Sequence, residues 1–134
     1  MNSSTSRKIT NYDDSASVEE VKEIYNKKYN CDLKITSKYD FFDIIDNSNK
    51  IVIEVKNRSC SSTSYPTSII PENKFIKAKD YKEKEYKVYF VVKFIDGIFE
   101  YEYSIEDKHI IQDITNHQNG RQYVFINMKL FKKL

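Results

Sequence analysis

The run Ile53-Glu54-Val55-Lys56 places an acid and a base two positions apart in an apolar segment. In a β-strand, residues two apart share a face, so Glu54 and Lys56 would lie side by side. Asp40 and Asp43 precede them by a polar turn, and a hairpin would bring both within cross-strand reach of Glu54. Ionised groups beside an apolar interior are costly unless they are paired, hydrated or bound to a metal. The sequence therefore predicts a cluster of carboxylates and a lysine.

Two carboxylates and a lysine in one place suit metal-assisted hydrolysis of a phosphate ester. Carboxylate oxygens are ligands that Mg²⁺ prefers, and the ion keeps several waters when few protein ligands bind it. The ion polarises the phosphate and lowers the pKa of a water. Lys56 could position or deprotonate that water and stabilise the developing negative charge.

The element that must position this cluster is a predicted hairpin. Phe41 to Ile45 supply an apolar run, Asp46 to Asn49 a polar reversal, and Ile51 to Val55 the returning strand. The odd-numbered, apolar residues of the returning strand would face one side of the sheet, and Glu54 and Lys56 would face the other.

Two amphipathic helices flank the hairpin in the sequence. The first follows a cap at Asp14 or Ser15 and turns one apolar face inward. The second begins at about Glu72 and directs Phe75 and Ala78 inward. Its lysines are left for solvent or a polyanion, namely Lys74, Lys77, Lys79 and Lys82.

The remaining segments complete an α+β or α/β domain with a mixed central sheet flanked by helices. Cys31 to Thr36 alternates as a short strand would. A second hairpin turns at Asp96-Gly97, and its first strand is apolar on both faces, which indicates a central position. Ser59 to Pro71 lacks clear periodicity and is interpreted as a long loop. Tyr123 to Phe131 is predicted to close the fold as a strand or a helix.

Length and hydropathy predict one domain inside the cell. The 134 residues are 40% hydrophobic, which suits a single modest core. We predict a flexible N-terminal tail over residues 1–14 and one domain over 15–134. No run is long and apolar enough for a signal peptide or a membrane span. An intracellular protein is expected, in the cytoplasm, nucleus or viral factory, neither secreted nor bound to a membrane.

The number and spacing of cysteine, histidine and glycine residues argue against a zinc site and a phosphate-binding glycine loop. The net charge of +2 is too small to identify a nucleic-acid binder without local information. Cys31 and Cys60 lack zinc-site spacing and are interpreted as free thiols, and His109 and His117 are isolated. Glycine occurs only twice, so no phosphate-binding glycine loop and no small-molecule cofactor are expected.

The central segment resembles the PD-(D/E)XK nuclease superfamily, which includes restriction endonucleases, Holliday-junction resolvases and phage exonucleases. Its signature is an Asp near the end of one strand, a hairpin, and E-x-K in the next strand, here Glu54-Val55-Lys56. The resemblance is specific over residues 38–58 and extends loosely over 15–94, where the helices fit the α-β-β-β-α-β core. It implies a restriction-endonuclease-like fold.

The resemblance also implies a metal site. The expected cofactor is Mg²⁺, with Mn²⁺ as a substitute, and the expected ligands are Glu54, an Asp and the carbonyl of Val55. Either Asp40 or Asp43 could be that Asp: similarity to a small viral and phage group favours Asp40, whereas Asp43 has the simpler spacing. No proline precedes either residue, a departure that leaves both as candidates. Some members add a glutamate from the first helix, for which Glu20 and Glu23 are the candidates.

The expected substrate is DNA, cut endonucleolytically, with a homodimer as one arrangement that could cut both strands. The expected nucleic-acid contacts are Arg58, Tyr65, Lys74 and Lys77. Arg58 has a fork of donors that suits phosphate. Two alternatives stay open: a catalytically inactive nucleic-acid-binding module with the nuclease fold, and a protein-interaction domain in which E-x-K is only a strand surface.

Overall fold

A computed structural model describes residues 15–37, 40–113 and 122–134. In chain order, the elements are α1 (Ser15–Tyr29), β1 (Lys34–Ile35), β2 (Ile44–Asp46), β3 (Ile51–Asn57), β4 (Thr67–Pro71), α2 (Glu72–Glu83), β5 (Lys87–Phe94), β6 (Gly97–Glu102), β7 (Ile110–Asp113), β8 (Gln122–Asn127), a 3₁₀ turn (Met128–Leu130) and β9 (Lys132–Lys133). The predicted tail, residues 1–14, lies outside the described residues.

These strands form two sheets in the described part of the chain. The larger sheet has the order β9-β6-β5-β3-β2-β1, and the smaller has the order β4-β8-β7. Strands β3 and β5 are parallel, and every other pair is antiparallel. A parallel pair needs a crossover between its strands, and this one contains α2. The predicted mixed sheet and restriction-endonuclease-like core are confirmed.

The predicted central hairpin forms between β2 and β3, with Ile44 opposite Ile53 and Asp46 opposite Ile51. The carboxylate of Asp46 fixes the turn, because it accepts hydrogen bonds from the N–H of Asn49 at 3.0 Å and from its side-chain amide at 2.8 Å. These bonds lower the pKa of Asp46 against the opposing effect of burial. The hairpin at Asp96-Gly97 is also confirmed.

A hydrophobic core lies on each face of the larger sheet. On one face, α1 contributes Val21 and Tyr25, which are fully buried with Ile53 and Val55. On the other face, α2 and the smaller sheet cover Val52 and Phe90. Glu54 shares the face of Val52 because strand residues alternate. The charged cluster is therefore built on the α2 face.

The loop interpretation of Ser59 to Pro71 was wrong at its end, because residues 67–71 form β4. This strand is an edge, where a proline can be tolerated, and its buried positions hold Ser68 and Ile70. One buried position is thus polar, so the apolar alternation that marks a strand is absent.

At the C-terminus, a strand and a 3₁₀ turn form. No described helix is long and apolar enough to cross a membrane.

Candidate active site

Glu54 is a buried acid in the middle of the larger sheet. Strand β3 lies between β2 and β5, and only 3% of Glu54 is exposed. Two ammonium groups compensate its charge: Lys56 Nζ lies 3.6 Å from Oε2, and Lys74 Nζ lies 3.4 Å from Oε1. Among the described residues, Oε1 is nevertheless a buried atom without a hydrogen bond. Oε1 therefore has an ion-pair partner in Lys74 but no well-aligned hydrogen bond, and it can still accept a proton or a cation.

Asp43 is held against the same strand, one residue before β2. Its N–H donates to the carbonyl of Ile53 at 3.1 Å, and its carboxylate Oδ2 accepts from the N–H of Val55 at 2.8 Å. The carboxylate is thereby fixed beside the residue that follows Glu54. Its second oxygen, Oδ1, can serve as a ligand.

Burial and the neighbouring charges shift the pKa of Glu54. Burial, and then the negative charge of Asp43, raise the pKa of Glu54 to about 7, against the opposing effects of Lys74 and Lys56. The carboxyl group therefore exchanges a proton near neutral pH. A raised pKa at a cluster of charged groups is typical of functional sites.

The structure does not bring Asp40 to this cluster. Its carboxylate accepts from the N–H of Ser37 at 2.9 Å, and it lines a cavity toward Tyr81. The Asp that the structure pairs with Glu54 is Asp43.

The first-helix glutamates also lie elsewhere. Helix α1 packs on the face of the sheet opposite Glu54, through the core that contains Val55 and Tyr89. Glu20 forms an ion pair with Lys93, at 2.8 Å, and Glu23 is exposed. Since the sheet separates them from Glu54, these glutamates do not complete the site in this structure.

A protein family described as "Phage putative PDDEXK endonuclease" matches residues 7–132 of the chain. The chain belongs to this family. The match confirms the PD-(D/E)XK resemblance and supports a nuclease that acts on nucleic acid. The chain matches none of the curated proteins with which it was compared.

The residues present fit the divalent metal that PDDEXK nucleases generally use. The described part of the chain contains no group of three or more His, Cys, Asp or Glu side chains arranged for a metal. It does contain two carboxylates on one side of β3, and one of their oxygens, Glu54 Oε1, is buried without a hydrogen bond. Oxygen donors that include few carboxylates suit Mg²⁺, which retains waters.

Lys74, which was predicted to face solvent or a polyanion and to contact nucleic acid, lies against Glu54. It is in the first turn of α2, and its ammonium contacts Glu54 and donates to the carbonyl of Phe41. It thus ties α2 to both β3 and the residues that precede β2. Helical periodicity could not reveal this contact, because it does not show what α2 packs against.

The other expected nucleic-acid contacts lie on three separate segments of the chain. Arg58 donates through Nη2 to the carbonyl of Ile69 at 3.2 Å. Lys77 lies over the ring of Phe41, 5.4 Å from its centroid. Tyr65 is 66% exposed, on a loop that Ser62 fastens to the β5–β6 turn through hydrogen bonds to Asp96 at 2.6 and 2.8 Å.

Proposed function

We propose that the chain is a metal-dependent endonuclease that hydrolyses phosphodiester bonds of DNA. The observation that carries this proposal is the buried, incompletely hydrogen-bonded Glu54 between Asp43 and two lysines, in a chain of the PDDEXK family. Asp43, Glu54 and the carbonyl of Val55 would hold Mg²⁺, for which Mn²⁺ can substitute. The ion would polarise the scissile phosphate and lower the pKa of the attacking water.

Lys56 positions the attacking water in this proposal. Its side chain is 30% exposed and its Nζ lies 3.6 Å from Glu54, so the ammonium reaches both solvent and the carboxylate. The separation is longer than a charge-assisted hydrogen bond, which leaves the ammonium free to take a water or a phosphate oxygen. It would orient the water and stabilise negative charge on the phosphate.

Lys74 holds the phosphate from the opposite side. It is 21% exposed and reaches Glu54 from α2, whereas Lys56 reaches it along β3. Two cations flank the carboxylate, and a phosphate would lie between them when the metal ion compensates the charge of Glu54 and Asp43. Arg58, Lys77 and Tyr65 would contact the nucleic acid farther from the reaction.

The experiment that tests this function is cleavage of supercoiled, linear, single-stranded and four-way-junction DNA in Mg²⁺ or Mn²⁺. The native chain should cut at least one substrate, and Glu54→Gln should cut none while keeping its fold. Glu23→Gln is the matched control, since it removes an exposed acid on the opposite face. Binding without cutting by the native chain would instead support the inactive binding module.

The described residues hold one such cluster in each chain. A double-strand break therefore requires two chains or two successive events. The homodimer stays a prediction, and sedimentation of the chain bound to DNA would test it. Because the family is named for phages, we propose that the reaction takes place inside an infected cell.

A further inference from the structure

A cavity of about 360 Å³ lies between α2 and the residues around Phe41 and Asn47. Pockets for small ligands typically measure about 300–1,000 Å³. Its lining has three aromatic side chains, an ammonium group and several hydrogen-bonding groups. The aromatic side chains are Phe41, Phe42 and Tyr81, and the polar ones are Lys77, Asp40, Asn47 and Thr36.

Lys74 links the cavity to the proposed catalytic site, because its ammonium contacts Glu54 and lies 5.6 Å from the ring centroid of Phe41, which lines the cavity. Lys74, Lys77 and Tyr81 follow one another at helical spacing along one side of α2. The first of them contacts Glu54 and the carbonyl of Phe41, and the other two line the cavity. One helical turn rises about 5.4 Å. Lys77, which lines the cavity, therefore lies about one turn along α2 from Lys74, whose ammonium contacts Glu54.

The two neighbouring phenylalanines at its edge have opposite environments. Phe42 is 3% exposed and packs against Phe90 and Tyr81. Phe41 is 43% exposed, and the contacts described for its ring are with the ammonium groups of Lys74 and Lys77, at 5.6 and 5.4 Å. Phe41 therefore contributes little to the core and presents an aromatic surface beside the reacting phosphate.

We propose that this cavity takes one unstacked nucleobase of the substrate strand, next to the phosphate that is cut. The inference rests on the proposed nuclease function and adds a substrate class to it. The base stacks on Phe41. Thr36 Oγ1 donates to the carbonyl of Phe42, Asp40 Oδ2 accepts from the N–H of Ser37, and Asn47 Oδ1 accepts from the hydroxyl of Tyr86. The hydrogen-bonding edge of the base therefore meets the other polar atoms of Asp40 and Asn47, Oδ1 and Nδ2.

It is favourable for a base to replace the ammonium of Lys77 on the ring of Phe41. An exposed cation over an aromatic ring raises the equilibrium constant for that contact about two- to fivefold. Stacking of one base on an aromatic side chain gains about 5- to 150-fold. The base therefore displaces Lys77 from the ring of Phe41, and the ammonium moves to a neighbouring phosphate.

A base can reach this cavity only after leaving its stack. Single strands, branch points and distorted duplexes supply such a base at little cost, whereas an intact duplex must first unpair. The protein should accordingly prefer DNA with unpaired nucleotides near the cleavage site.

The test compares the affinity of an oligothymidine with that of a fully abasic oligonucleotide of equal length, without divalent metal so that neither is cut. Both carry the same phosphates. The native chain should bind the thymidine strand about 5- to 150-fold more tightly. In Phe41→Ala this ratio should fall at least about fivefold, while Phe41→Tyr should retain it. Ile95→Ala is the matched control, because it removes an exposed apolar side chain in the distant β5–β6 turn and should leave the ratio unchanged.

Two failures are distinguishable. If the chain cuts DNA but binds both strands equally, or if Phe41→Ala keeps the native ratio, the base site is refuted and the nuclease stands. If the chain neither binds nor cuts any nucleic acid, the proposed function and the base site are both refuted.

Discussion

Replacing Glu54 with glutamine should stabilise the metal-free protein at alkaline pH. Glu54 is 3% exposed, and its environment raises the pKa of the carboxyl from an ordinary 4.5 to about 7. The folded state thus holds this proton more tightly than the unfolded state. Its contribution to stability is complete below pH 4.5, is lost as the pH rises toward 7, and stays lost above that.

The size of the effect follows from the two pKa values. A change from 4.5 to about 7 corresponds to about 3 kcal/mol of unfolding free energy. Glutamine has nearly the shape of the protonated acid and does not titrate. The stability of Glu54→Gln relative to the native chain should therefore increase by about 3 kcal/mol between pH 4 and pH 8.

Urea unfolding in a chelator at several pH values measures this difference. Every other titrating group is common to both proteins. Subtracting one unfolding free energy from the other at each pH therefore isolates the contribution of Glu54. Glu23→Gln, at an exposed position of α1, should follow the native chain. Stability curves of the native chain and Glu54→Gln that stay parallel from pH 4 to 8 would show that burial does not raise the pKa of Glu54.

Three further predictions concern the ligands, the metal and the opposite face. Asp43→Asn should lower kcat at least about 100-fold and Asp40→Asn should keep kcat, because Asp40 lines the cavity and lies outside the metal site, as cleavage assays would show; the reverse order in kcat would contradict the assignment. Apparent Mg²⁺ affinity should fall about tenfold per pH unit below 7, because Glu54 must lose its proton; calorimetric titration would test this, and a flat profile would contradict it. Tyr25→Phe removes the hydroxyl that donates to buried Glu100 and should cost about 1–3 kcal/mol in urea unfolding, whereas an unchanged midpoint would contradict that role.

Much of the fold could be predicted because its signals are local. The period of two in β3 separates Ile53 and Val55 from Glu54, and the two cores confirm that separation. The turn at Asp96-Gly97 and the helix from Ser15 follow from short-range chemistry. The smaller sheet could not be predicted in the same way, since β4 pairs with residues of β8 about 55 positions later.

The sequence predicted the pair of Glu54 and Lys56, but it did not determine which Asp joins them or where Lys74 lies. Alternation alone places Glu54 beside Lys56, and the structure shows the two in contact. The choice between Asp40 and Asp43 depends on where the chain enters β2, which sequence spacing does not determine. The position of Lys74 depends on how α2 crosses the sheet, so the sequence predicted a lysine for solvent or nucleic acid but not its contact with the buried acid.

The most direct test of the proposed nuclease is Mg²⁺-dependent DNA cleavage by the native chain and by Lys56→Met, with Mg²⁺ binding measured on both well above the pKa of Glu54. Lys56 is partly exposed and is not a ligand, and Glu54 is ionised in both proteins at such a pH, so the variant should fold and bind the ion. We expect cleavage by the native chain and its loss in the variant despite retained binding. Equal cleavage by both proteins, or cleavage in a chelator, would contradict this expectation.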